Sequence, residues 1–140
     1  MSSLTARDIM RQPVVSIPAA ESVAEAVRRM QSRRISSLIV LPRYVGDPFG
    51  IITKADVVAK VVAYGKDPQR LHVSDVMTQP VYTVAPDCTM RDCAALMMQY
   101  RVRRLPVCAE SGEPIGIVSD SDVFGALLRI EAQPAPSFSL

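Results

Sequence analysis

The chain has 140 residues and a formal net charge of only +2, so no strong overall field favours binding to nucleic acid or to an anionic membrane. Its apolar runs fall short of the ~18 residues of a membrane-spanning helix, and the first residues lack the apolar stretch of a signal peptide. Three cysteines without a CxxC pair, with a single histidine, argue against a disulfide framework and a structural zinc site. These features predict a cytoplasmic protein with reduced thiols.

The first half of the chain predicts the order strand, helix, strand, strand, helix. An extended segment ends at Pro18, and the next helix starts at Ser22, where Ser22 and Glu25 form the S-x-x-E pattern of a capping box. Two short apolar runs have the length and branched side chains of buried strands, and a second helix follows them. The predicted elements are the strand Val14–Ile17, a helix with Val23, Ala26, Val27 and Met30 on its apolar face, the strands Leu38–Leu41 and Gly50–Ile52, and a helix from Lys54 to about Tyr64.

The second half repeats this order because the sequence itself is repeated. Arg7-Asp8-Ile9-Met10 recurs 67 residues later as Ser74-Asp75-Val76-Met77, and Gly50–Asp56 recurs 66 residues later as Gly116–Asp122. A long period found only twice indicates two copies of a small domain rather than a solenoid. Since ~60-residue units are marginal alone, we expect the halves to share a core. We predict an α+β (mixed α/β) protein with a first repeat at 1–68, a second at 69–131 and a flexible Pro-rich tail at 132–140.

The most specific local pattern is Thr53-x-x-Asp56, with its counterpart Ser119-x-x-Asp122. Each lies where a buried strand gives way to a helix, behind a glycine that permits close backbone approach. Free N–H groups and the helix dipole favour an anion or a ribose there, since a carboxylate accepts hydrogen bonds from a sugar diol. The same spacing is that of a capping box, which is also expected at Ser22 and Thr89. Capping and ligand binding are both compatible with the pattern.

The repeated D-h-M-x-x-P-V (h, apolar), the Arg104-Leu105-Pro106-Val107 run and the twice-used G-h-h-[ST]-x-x-D resemble the cystathionine-β-synthase (CBS) domain over about residues 4 to 131. The resemblance implies two β-α-β-β-α repeats related by a pseudo-twofold axis, each with a three-stranded sheet and two helices. It also implies two ligand clefts between the repeats. The primary cleft would comprise Thr53, Asp56, Ala85, Val102, Arg103 and Arg104, and the secondary cleft Ser119, Asp122, Pro18, Ile35, Ser36 and Ser37.

The two copies differ where a phosphate has to be neutralised. Arg103 and Arg104 of the second copy are replaced by Ser36 and Ser37 in the first. Each charged hydrogen bond from arginine to phosphate contributes roughly 1.5–3 kcal/mol, so we expect the primary cleft to bind a nucleotide tightly and the other weakly or not at all. The arginines favour AMP, ADP or ATP over the cationic S-adenosylmethionine, and a cyclic dinucleotide stays open. The alternative for these arginines, Arg101 above all, is a solvated basic face.

The residue patterns contain no nucleophile–base pair, no P-loop and no metal-ligand spacing, so we expect no enzyme, no catalytic residue, no metal and no cofactor. The leading hypothesis is a stand-alone regulatory module that binds an adenine nucleotide and signals to an unknown regulated protein. The resemblance implies a homodimer of such modules. We predict that it forms through helix faces containing Val57, Val61, Phe124 and Leu127.

Two alternatives stay open at this point. One is a dimerising interaction scaffold whose clefts are empty. The other is nucleic-acid binding through Arg101–Arg104, which lacks both the aromatic residues of stacking surfaces and a high net charge.

Overall fold

The computed structural model describes residues 4–131 of the chain, with side chains described to residue 129. The predicted tail at 132–140 lies outside the described residues. The chain divides into two compact units. The first unit is Val14–Val81, and the second comprises the described parts of Met1–Pro13 and Tyr82–Leu140.

The first unit contains a three-stranded sheet in which β1 runs parallel to β2 and β2 runs antiparallel to β3. Ile17 pairs with Val40, and Leu38 pairs with Ile52, so large apolar side chains of all three strands enter one core. The helix α1 (Ala6–Ile9) comes first in the chain and belongs to the second unit. The elements of the first unit are β1 (Ser16–Pro18), α2 (Val23–Arg33), β2 (Ser37–Leu41), β3 (Gly50–Thr53), α3 (Lys54–Val57) and a 3₁₀ turn (Val73–Asp75). The helix α3 continues as a π-helical turn (Val58–Val62).

The second unit repeats the pattern with a smaller sheet, in which β4 and β5 pair antiparallel. The counterpart of the predicted strand Val14–Ile17, which the repeat places at residues 81–84, is reduced to one parallel bridge between Val84 and Val107. In the first unit the N–H of Ile39 donates to the carbonyl of Val15, whereas its counterpart Pro106 has no N–H to extend the ladder. The elements are α1 (Ala6–Ile9), α4 (Met90–Tyr100), β4 (Arg104–Cys108), β5 (Pro114–Ser119) and α5 (Asp120–Glu131).

The short segment at the start of each repeat packs into the unit that contains most of the other repeat. Ala6 and Ile9 of α1 are buried among residues of the second unit, and Val73 and Val76 are buried in the first. The predicted boundaries at 1–68 and 69–131 describe the period of the sequence and stay a prediction. Two clusters of buried apolar side chains lie one in each unit, and the expectation that the halves share a core stays a prediction.

The methionines of the repeated D-h-M pattern explain why glycine precedes each of the two strand-to-helix corners, Thr53–Asp56 and Ser119–Asp122. A Cβ at Gly50 would lie 2.9 Å from Met77 Sδ and 3.1 Å from the carbonyl of Thr78, and a Cβ at Gly116 would overlap the side chain of Met10. The close approach that the sequence predicts at these glycines is therefore made by a packed methionine.

Two of the four residues predicted to lie on a dimerisation face are buried, and the other two are exposed. Val57 and Val61 are buried in the first unit, so their assignment to an exposed face was wrong. Their neighbours Val58 and Val62 are exposed instead, and so are Phe124 and Leu127 of α5. Adjacent apolar pairs in a helix leave the sequence unable to say which member of each pair faces inward.

Candidate functional site

The first corner joins β3 to α3 through a reciprocal pair of hydrogen bonds. The N–H of Asp56 donates to Thr53 Oγ1 at 3.0 Å, and the N–H of Thr53 donates to Asp56 Oδ2 at 3.0 Å. The second carboxylate oxygen, Oδ1, lies 3.5 Å from Lys60 Nζ, which donates to the carbonyl of Val76 at 3.0 Å. The side chain of Asp56 is 18% exposed. The capping box is thus present, and it leaves Oδ1 outside the capping hydrogen bonds.

The second corner joins β5 to α5 through the equivalent pair, Ser119 and Asp122. Asp122 Oδ2 accepts from the N–H of Ser119 at 2.8 Å and from Ser119 Oγ at 2.9 Å, and the N–H of Asp122 donates to Ser119 Oγ at 3.2 Å. Here the other oxygen is also engaged, because Arg11 Nε donates to Asp122 Oδ1 at 3.1 Å. The two corners therefore share a capping pattern and differ in what holds the second carboxylate oxygen.

The helix starts at Ser22 and Thr89 are confirmed as caps. Ser22 Oγ accepts from the N–H of Glu25 at 3.0 Å, and Thr89 Oγ1 accepts from that of Asp92 at 3.1 Å. The predicted box at Ser22 is only half formed, because the Glu25 carboxylate pairs with Arg29 at 3.0 Å and Arg28 at 3.1 Å. These two arginines, Arg29 foremost, lower the pKa of Glu25.

Two predicted ligand-binding residues of the second copy, Arg103 and Arg104, lie beside the corner of their own copy. Arg104 pairs with Ser119 across the antiparallel ladder, and the carbonyl of Arg103 accepts from the N–H of Asp120 at 2.8 Å. Arg103 is exposed, whereas Val102 is half-buried against the core. Ala85 is exposed and follows the bridge residue Val84. Arg101, exposed at φ 56°, ends α4 in the left-handed conformation.

The corresponding residues of the first copy, Ser36 and Ser37, have the same backbone arrangement as Arg103 and Arg104 but carry smaller, uncharged side chains. Ser37 pairs with Thr53 across the ladder, and the carbonyl of Ser36 accepts from the N–H of Lys54 at 2.9 Å. Ser37 is only 8% exposed, Ser36 and Ile35 are half-buried, and Pro18 is exposed at the end of β1. Each unit thus brings the strand and corner of one copy together. The predicted grouping of a strand with the corner of the other copy stays a prediction.

Two charged residues of these corners were missed by the sequence analysis, namely Arg11 and Lys60. Lys60 follows Asp56 by four residues on one helix, a spacing that does indicate an ion pair. Arg11 and Asp122 are 111 residues apart, so no local spacing relates them. A signal was nevertheless present, because Arg11 occupies the repeat position at which the second copy has Thr78.

A surface cleft of about 790 Å³ lies within the second unit. Its lining includes Ala85 of the predicted site and places Arg7 in the same hollow as Asp87 and Glu110. This cleft was not predicted, because no local spacing relates Arg7 to Asp87 or Glu110. The full lining is Thr5, Arg7, Thr83, Val84, Ala85, Pro86, Asp87, Cys108, Ala109, Glu110 and Gly112.

Residues 4–131 contain neither a metal-binding cluster nor a membrane-spanning helix. No group of three or more His, Cys, Asp or Glu side chains there is placed to hold a metal ion. Among residues 4–131, no helix has both the length and the apolar character needed to cross a bilayer. The cysteines are free thiols, and burial raises the pKa of Cys93 to about 12.

Comparison with known proteins matches two stretches of the chain, residues 6–63 and 73–129, to the CBS domain. The uncharacterized protein MK0525 of Methanopyrus kandleri is 34% identical over 88% of this chain and 62% of its own length. Inosine-5'-monophosphate dehydrogenase of Korarchaeum cryptofilum is 37% identical over 85% of this chain and 23% of its own length. The chain thus spans less than two thirds of these relatives.

Two solved structures extend the comparison. A hexameric CBS-CP12 protein from bloom-forming cyanobacteria superposes with a TM-score of 0.87 at 38% identity, covering 98% of this chain and 79% of its own. CBSX2 in complex with AMP superposes with a TM-score of 0.72 at 25% identity, covering 91% of this chain and 98% of its own. The resemblance noted in the sequence and the mixed α/β fold are confirmed, and the chain belongs to the CBS-domain family with two CBS domains.

Proposed function

We propose that this protein is a non-catalytic regulatory module that binds AMP, ADP or ATP and passes the bound state to a partner protein. The nucleotide would be held by the predicted primary cleft: Thr53, Asp56, Ala85, Val102, Arg103 and Arg104. The observation that carries the proposal is the Asp56 carboxylate, which caps α3 through one oxygen and leaves the other outside the cap.

The chemistry of a ribose fits this arrangement. A ribose offers two neighbouring hydroxyl donors, and Asp56 Oδ1 faces only a long contact of 3.5 Å to Lys60 Nζ. Because Lys60 Nζ also donates to the carbonyl of Val76 at 3.0 Å, it keeps a partner when Oδ1 accepts from a ligand. Asp56 can therefore bind a diol without giving up the hydrogen bond that starts α3.

In this proposal, Arg103 and Arg104 bind the phosphate end of the same ligand. Arg103 is exposed and adjacent to Arg104, so the two bring positive charge to one end of β4. Charged hydrogen bonds to phosphate contribute about 1.5–3 kcal/mol each, and loss of two weakens binding by about a hundredfold or more. CBSX2, which aligns with 91% of this chain, is a complex with AMP, and this relative supports an adenine nucleotide as the ligand class.

Thermal shift and titration calorimetry with AMP, ADP and ATP test the proposal, with S-adenosylmethionine and a cyclic dinucleotide as competing ligands. At a ligand concentration of 100 Kd, binding stabilises the folded state by about 2.7 kcal/mol, and a hundredfold weaker Kd reduces this to about 0.4 kcal/mol. Asp56→Asn and Arg103→Ala are each expected to weaken binding at least about tenfold.

Matched controls separate ligand contacts from effects on folding. Asp92→Asn changes a capping-turn carboxylate outside the predicted site, and Arg101→Asn removes a nearby positive charge where asparagine tolerates the left-handed backbone. Both controls should bind as the wild type does. Absence of stabilisation by every adenosine ligand at millimolar concentration would contradict the proposal.

We further propose that the module acts as a homodimer. Val58, Val62, Phe124, Leu127 and Leu128 are exposed apolar residues on the last helix of each copy. Such residues favour association when they form a surface patch. A single charged substitution, Leu128→Lys, is expected to produce monomers in light scattering, whereas Met98→Lys on α4 is a control of similar exposure.

A dimerising scaffold with empty clefts is the second candidate, and the same exposed apolar residues favour it. The two candidates differ in one measurement. A scaffold remains dimeric and gains no thermal stability from nucleotide, whereas a regulatory module changes stability or assembly when nucleotide binds.

A further inference from the structure

The ion pair between Arg11 and Asp122 occupies the carboxylate of the second corner. Arg11 Nε donates to Asp122 Oδ1 at 3.1 Å, and both residues belong to the second unit. The arginine side chain is 70% exposed, whereas that of the aspartate is 9% exposed. The more accessible partner therefore covers the less accessible one.

Both oxygens of Asp122 are engaged by this arrangement. Oδ2 accepts from the N–H and the hydroxyl of Ser119, and Oδ1 accepts from Arg11. A sugar diol needs the same oxygens as acceptors, so it has to displace the guanidinium before it can bind. At the first corner the corresponding oxygen of Asp56 has only the 3.5 Å contact to Lys60, which keeps a second partner.

The backbone holds Arg11 in this place. The N–H of Arg11 donates to the carbonyl of Ile117 at 2.9 Å, and the N–H of Ile117 donates back at 3.1 Å. Thr78 makes the same two bonds with Ile51 in the first unit, at 2.8 and 2.9 Å. The two positions are thus structurally equivalent, and this position carries an arginine in the second unit and a threonine in the first.

We propose that Arg11 is a specificity-determining residue that occupies Asp122 in place of a ribose diol and so makes the second corner a weak nucleotide site. The inference rests on the proposed function, in which the corner aspartates bind ribose. It adds a cause for the asymmetry that is independent of phosphate, since the pair blocks the sugar end of the ligand.

Adenosine isolates this effect because it carries the diol and no phosphate. Exposed ion pairs contribute up to about 1 kcal/mol, so removing the competing guanidinium is expected to strengthen adenosine binding at the second corner about two- to fivefold. High salt screens the pair and should strengthen adenosine binding to the wild-type second corner in the same direction.

The test is a titration of ¹⁵N-labelled protein with adenosine and with AMP, followed through the backbone amides of each corner. The amides of Ser119 and Asp122 report on the second corner, and those of Thr53 and Asp56 report on the first. Arg11→Thr installs the residue of the other copy and should tighten binding at the second corner only. The reciprocal Thr78→Arg should weaken binding at the first corner, and Arg7→Thr controls for the loss of a positive charge in the same segment.

The outcomes separate the two hypotheses. Unchanged adenosine affinity at the second corner in Arg11→Thr, with the first corner still binding AMP, overturns the role of Arg11 and leaves the proposed function standing. Weaker AMP binding with unchanged adenosine binding identifies Arg11 as a phosphate ligand and also overturns the inference. If neither corner responds to either ligand in any variant, the proposed function fails and the inference fails with it.

Discussion

Ile9 provides the sharpest test of how the chain is divided between the two units. It lies in α1, at the start of the first repeat, yet its buried side chain packs in the cluster that contains Leu105, Val107 and Val118. Replacing a buried isoleucine by alanine costs about 2–5 kcal/mol, a large part of the 5–15 kcal/mol that stabilises a typical domain. We therefore expect Ile9→Ala to destabilise the second unit selectively.

Hydrogen exchange measured residue by residue is the assay, because it reports the stability of each unit separately. A loss of 2 kcal/mol lowers protection about 30-fold, and this loss should appear in the amides of β4 and β5. The matched variant Val76→Ala, near the start of the second repeat, should lower protection in β2 and β3 instead. If Ile9→Ala weakens β2 and β3 while β4 and β5 stay protected, the assignment of α1 to the second unit is refuted.

Two further predictions concern titrating groups. The Arg43 side chain, followed by the Arg43 N–H, lowers the pKa of Asp47 from 3.8 to about 2. This stabilisation is present above pH 3.8 and is lost as the pH falls towards 2, so the difference in melting temperature between wild type and Asp47→Asn should shrink over that range; a constant difference would contradict it. Cys93, whose pKa burial raises to about 12, should resist alkylation by iodoacetamide at pH 8 until the protein unfolds, and equal labelling rates before and after unfolding would contradict this.

The order of helices and strands could be predicted from the repeated sequence because most of its local patterns agree with the structure. The capping residues Ser22 and Thr89 start α2 and α4, and the apolar positions Val23, Ala26 and Met30 are buried as their helical spacing predicts. These features depend on contacts within a few residues. They are therefore readable from sequence alone.

The features that were not predicted depend on contacts between distant residues or on which of several nearby partners a side chain takes. The Ser22 box is incomplete because Arg28 and Arg29 pair with the Glu25 carboxylate. The sequence shows both arginines but does not determine that Glu25 pairs with them rather than with the N–H of Ser22. The pairing of Arg11 with Asp122 arises only after α1 joins β5. A sequence period gives the length of a repeat and does not say which segments pack together.

The position of α1 also has a consequence for protein synthesis. Residues 4–13 leave the ribosome before the strands against which they pack, which begin about 90 residues later in the chain. At about 5–20 residues per second, this segment waits several seconds or longer for its partners, while the contiguous unit Val14–Val81 can already fold. During that interval Ile9 lacks the side chains that bury it in the folded protein, so this early segment reaches its native contacts only after much of the later chain has been made.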